Sequence, residues 1–133
     1  MANWLWKLMK IIIHSISVIQ EYSKNDGWNL MCSNIRAWQP KNSKFFLISL
    51  MINIGEKGKS KKQGSNEFYI WIATPIGLTM LESNQGIITD CPLLVIEEYD
   101  WNLIWNNIEK KVSKCKANSW NASTELLSHY FNS

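Results

Sequence analysis

The chain has 133 residues, 46% of them hydrophobic, which is enough for one domain with a sizeable core and too apolar for a disordered segment. Lysine and arginine total 14 against 11 acidic residues, and the resulting charge of +3 is too mild to argue for nucleic acid by itself. No apolar run reaches the roughly 18 residues of a membrane-spanning helix.

In chain order, Met1–Met9 carries Trp4, Leu5, Trp6 and Leu8 and reads as a tail leading into a strand, with no small-residue cleavage site after it. Lys10–Gln20 is rich in β-branched residues and predicts a strand with Ile12, His14, Ile16 and Val18 on one face. Asp26-Gly27 signals a turn. Trp28–Trp38 fits either a strand through Leu30–Cys32 or a loop with one helical turn, ended by Gln39-Pro40. Phe45–Ile54 is the clearest strand. Phe46, Ile48, Leu50, Ile52 and Ile54 line one face, and the opposite face is also mostly apolar, which predicts a central place in the sheet. Gly55–Ser65 is polar and glycine-punctuated, and Glu67–Thr74 returns as the second arm of an antiparallel hairpin with a basic tip.

Thr74-Pro75 changes the local structure. Threonine is a good helix cap and proline a good first helical residue, so Pro75–Ser83 predicts a short helix stopping near Gly86. Ile87–Cys91 leads into Leu93–Ile96, an unbroken apolar run that predicts a strand buried on both faces. Trp101, Ile104, Trp105, Ile108, Val112 and Cys115 then fall on one helical face, with Asp100 as N-cap and Lys110, Lys111, Lys114 and Lys116 towards the negative end. Ser119 predicts the cap of a last helix, Trp120–Phe131, whose Trp120, Leu127, Tyr130 and Phe131 face the core. The sum is an α+β fold: a largely antiparallel sheet of about four strands, two C-terminal helices on one face and a short helix in the crossover. Residues 10–133 form the one domain and residues 1–9 its tail.

No catalytic constellation emerges. His14 reads as a half-buried, hydrogen-bonded strand residue and His129 as solvent-facing. No GxSxG elbow frames a serine, and Gly55, Gly58 and Gly64 do not match a phosphate loop. The three cysteines are widely spaced with no CxxC pair, so neither a metal nor another cofactor is expected, and reduced thiols in a cytoplasm are. Glu97 and Glu98 adjoin Asp100, but consecutive strand residues point to opposite faces and share a cleft only where the strand has ended. Lys57, Lys59, Lys61 and Lys62, next to a strand bearing Tyr69 and Trp71, allow an alternative reading as an RNA- or other nucleic-acid-binding module with a phosphate-contacting loop. Of the eight tryptophans, most are expected in the core. One or two, such as Trp28 or Trp38, are expected at the surface as interface anchors.

Several segments together resemble the immunity protein 8 family of bacterial polymorphic-toxin and contact-dependent growth inhibition systems. They are KIIIHSIS at Lys10–Ser17, FFLISLMINIGEKG at Phe45–Gly58, NEFYIWIATPIGL at Asn66–Leu78 and LLVIEEYDWNLIWNNIEKKV at Leu93–Val112. The Ser119-Trp120 pair that opens the last helix completes the set. The likeness runs over roughly residues 10–131. Met1–Leu8 precedes the usual family start, and relatives often continue beyond Tyr130-Phe131. The resemblance implies a small cytoplasmic α+β protein, not an enzyme, that binds a cognate toxin domain and blocks it. The acidic Glu97, Glu98 and Asp100 would suit a basic toxin such as a nuclease. By charge and residue type, the expected contacts are Glu97 and Glu98 towards a basic surface, the Lys57–Lys62 loop towards an acidic one, and Trp28 or Trp38 as anchor. The resemblance implies no cofactor, no membrane and no small-molecule substrate.

Overall fold

The structure is a computed structural model that describes residues 10–59, 64–82 and 92–133. The tail at residues 1–9, Lys61 and Lys62, and the stretch from Ser83 to Cys91 lie outside the described residues.

Strand β1 (Ile11–Ser23) turns at Gly27, whose φ of 72° suits glycine, into β2 (Gly27–Asn34). Strand β3 (Leu47–Glu56) and β4 (Ser65–Ala73) follow, then helix α1 (Pro75–Glu82), β5 (Leu93–Val95), α2 (Trp101–Ser113) and α3 (Trp120–Leu127). The strand order is β2-β1-β3-β4-β5. All neighbours are antiparallel except β4 and β5, which run parallel and so need the crossover that contains α1. The fifth strand, beyond the four expected, is β2: Trp28–Trp38 resolves into a strand to Asn34 and then a turn.

Register places the core. Val18 lies beside Leu50 and Leu50 beside Ile70, while Ile16, Ile52 and Phe68 make the adjacent column. Ile104, Ile108 and Val112 of α2, Leu127 of α3, and Cys115 and Phe131 close over these columns. Asp100 and Ser119 cap α2 and α3 as their positions predict.

The N-terminal strand departs from simple alternation. Its pairing with β3 slips between Ile13 and Ser15, and again between Val18 and Gln20. Each slip inserts a residue and reverses which alternate set faces the core. The helix-covered face therefore takes Ile11 and Ile13, then Ile16 and Val18, instead of Ile12 and His14.

The second sheet face carries α1 at one end. Leu47, Ala73, Tyr22 and Met80 are buried there, ringed by half-buried Trp28, Trp71, Leu78, Leu81 and Leu93. Thr74 fixes the start of α1, its Oγ1 accepting from Gly77 N at 3.0 Å and from Phe46 N at 3.3 Å. Strand β5 is not buried on both faces. It has three residues at the sheet margin, and Val95 is 45% exposed, because an apolar run at an edge has a neighbour on one side only. A second device closes the same edge: Tyr69 and Asn132 exchange backbone bonds of 2.7 and 2.9 Å. Among the described residues, no strand pairs with the outer edge of β2.

Candidate partner-binding surface

The acidic corner follows directly from the end of β5. Ile96 N still donates to Ala73 O at 2.9 Å, and then the chain turns away from the sheet. Because the strand has ended, Glu97 and Glu98 are not sent to opposite faces. Both line one depression of about 250 Å³ together with Lys44, Pro75 and Ile76. Both are exposed, and Glu98 Oε1 accepts from Ser43 Oγ at 3.0 Å. Large apolar side chains open at this end of the sheet: Ile76 is 53% and Phe45 39% exposed, beside Val95. Two carboxylates against one lysine, beside apolar Pro75 and Ile76, leave the depression net acidic and suited to a cationic partner.

Tyr99 fastens the corner to the rest of the molecule. Its ring packs edge-on to Trp38 and Phe46, with centroids 5.2 and 5.5 Å away. Its hydroxyl donates to Ile35 O at 3.1 Å and Trp38 O at 3.3 Å, and its N–H donates to Ser43 O at 2.8 Å. Burial, and secondarily the charge of Asp100, oppose the phenolate and push the Tyr99 hydroxyl up to about 12. Asp100 itself is occupied: one carboxylate oxygen accepts from Asn102 N at 3.0 Å and Leu103 N at 3.3 Å.

The other expected contacts lie elsewhere. Lys57 and Lys59 follow the far end of β3, whose ten residues span roughly 30 Å, so they do not join the acidic corner in one patch. Lys59 is paired with Glu56 at 3.1 Å, and Lys61 and Lys62 lie outside the described residues. Trp38 is 7% exposed and belongs to the core, so it is not a surface anchor. The Pro40-bounded turn folds it inward against Phe46 and Tyr99. Trp28 is half-buried against Trp71 and Tyr22, with centroids 4.9 and 5.3 Å away. Tyr69 donates its hydroxyl to Glu67 at 2.8 Å, and that bond, with burial and the Glu67 charge, raises its pKa. His14 stands at a bulge, and its buried Nε2 has no hydrogen-bond partner among the described residues, unlike the satisfied histidine expected from the sequence. Ser15 Oγ and Asn53 Oδ1 nearby are equally unpaired.

One surface group escaped the sequence. Arg36 lies over Trp101 and Trp105 of α2, its guanidinium carbon 5.1 and 5.0 Å from the two rings. The four-residue spacing of those tryptophans stacks them on one helix flank, which is visible in sequence, but the arginine reaches them from a turn 65 positions away.

Among the described residues, no group of three metal-ligating side chains occurs, and no helix is long and apolar enough to cross a membrane. No curated protein and no solved structure matches the chain. Residues 24–132, from the β1–β2 turn to the residue that bridges to β4, match the family described as Immunity protein 8. That match covers most of the sequence, and the chain belongs to the immunity protein 8 family.

Proposed function

We propose that the chain binds and neutralises one cognate bacterial toxin domain, with a nuclease as the fitting target, and that it does so in the cytoplasm as a non-enzymatic inhibitor. Family membership supports the immunity role. The acidic corner supports the choice of target: Glu97 and Glu98 share one depression with Ile76 and a single lysine, Lys44, a net acidic composition that complements a basic, phosphate-binding cleft. The Tyr99 fastening holds this corner before the partner arrives, which lowers the ordering cost of association. The overall charge of +3 speaks against an inhibitor that is acidic over its whole surface, so in this reading the acidic corner acts as a local patch.

Co-expression tests the reading. Cells producing the toxin encoded beside this chain should survive with it and die without it, and toxins of other loci should kill regardless. The double reversal Glu97→Lys with Glu98→Lys should weaken toxin binding by about tenfold or more while stability changes by about 0.5 kcal/mol or less, as expected for exposed sites. Equal killing with and without the chain would refute the immunity role. Undiminished binding by the double reversal would refute this surface.

A further inference from the structure

Arg36 is the single arginine of the chain; every other basic side chain apart from the histidines is a lysine. It sits where its backbone cannot drift. Its N–H donates to Asn34 Oδ1 at 3.0 Å, Ala37 N donates to Asn34 O at 2.9 Å, and the preceding residue, buried Ile35, donates its N–H to Ile16 O at 3.0 Å. The side chain rests on the rings of Trp101 and Trp105. An arginine held on aromatic faces keeps its in-plane N–H donors for a planar acceptor. Among the described residues no carboxylate comes within ion-pair distance of it, the only such pair being Lys59 with Glu56. Glu109, one turn beyond Trp105, accepts from that indole's Nε1 at 2.9 Å.

We infer that Arg36, held on Trp101 and Trp105, is the cationic anchor of the partner surface and takes a carboxylate of the toxin domain as a bidentate pair. The inference rests on the immunity reading above and adds a second pole to it. The turn that carries Arg36 and the segment that carries Glu97 and Glu98 are tied by one side chain, since Tyr99 donates to the carbonyls of Ile35 and Trp38. A positive and a negative group are thus held in fixed relation. A toxin face must offer an acid and a base at matching positions, which selects one docking orientation and rejects surfaces of a single sign. Arginine and tryptophan are also the side chains that most often dominate interface energetics, and an anchor already ordered loses little freedom on binding.

The test is isothermal titration of the purified C-terminal domain of the toxin encoded beside this chain against wild type, Arg36→Ala, Arg36→Lys and Arg36→Glu, with a melting temperature for each. R36A should bind about tenfold or more weakly and R36E more weakly still. R36K keeps the charge but lacks the planar fork, so it should recover only part of the loss. Melting temperatures should stay within a few degrees of wild type. Wild-type affinity in R36A and R36E would overturn the anchor and leave the immunity reading intact. Equal loss in R36A and R36K, matched by an equal fall in melting temperature, would also overturn it, because the residue would then act through folding. A wild-type chain that does not bind the toxin domain would remove the immunity reading and this inference together.

Discussion

Tyr99→Phe removes one hydroxyl and almost no volume, so it isolates the fastening between the acidic corner and the Ile35–Trp38 turn. The lost proton is shared by two carbonyls, Ile35 O at 3.1 Å and Trp38 O at 3.3 Å. Such a bond contributes about 1 kcal/mol net, and leaving partly buried carbonyls short of a donor adds a comparable cost, giving about 1–2 kcal/mol. For a chain of this size that corresponds to a fall in melting temperature of about 4–8 °C at neutral pH. The phenol provides a second signature. Its folded pKa is raised to about 12 from the ordinary 10.0, chiefly by burial. The unfolded chain therefore loses this proton first as pH rises, and the contribution of the hydroxyl is fully present below pH 10 and lost between about 10 and 12. The variant has no such group, so the gap between wild type and Y99F should narrow over that window, other titrations being common to both. Thermal denaturation followed by far-ultraviolet circular dichroism at pH 7, 9 and 11 measures this. Equal melting temperatures at pH 7, or a gap that widens from pH 9 to pH 11, would refute the role given to Tyr99.

Three further outcomes are expected. Asp100→Ala should cost about 0.5–2 kcal/mol by leaving the first turn of α2 uncapped, and identical urea midpoints would show that the cap contributes nothing. Gly77→Ala places a Cβ against the carbonyl oxygen of Phe46, where backbone and not a flexible side chain must yield. It should destabilise by about 1–3 kcal/mol or more, and an unchanged melting temperature would mean that α1 can lift from β3 freely. Leu50→Ala, in the fully buried column between Val18 and Ile70, should cost about 2–5 kcal/mol in chemical denaturation.

What was legible in the sequence was local. Unbroken apolar periodicity placed β3 and the buried stripe of α2, because both depend on a repeating pattern that a single core face enforces. Thr74, Asp100 and Ser119 were readable as caps because each acts on backbone only two or three residues away. The structure departs from the local pattern where distant chain decides. The bulge at His14 depends on how β3 pairs with β1, and it reassigns every face position before it. Trp38 is inside because Phe46 and Tyr99 come to meet it. The run Leu93–Ile96 has a core composition but an edge position, which composition alone does not distinguish. Within the candidate surface, Glu97 and Glu98 were identifiable as an acidic cluster, whereas their sharing of one depression required knowing that the strand ends at Val95. Arg36 had no local signal at all.

The position of β1 has a practical consequence for relatives compared by their shared span. The matched residues begin at 24, yet β1 ends at Ser23 and lies between β2 and β3. A polypeptide starting at residue 24 would strip β2 of the one strand that pairs with it among the described residues and leave the long, apolar β3 with a bare hydrogen-bonding edge along much of its length. Unpaired strands of that kind recruit one another, so such a fragment would be expected to aggregate and not to present a smaller working domain. The minimal folding unit is thus larger than the span by which the family is recognised, because its first strand joins β2 to the central β3.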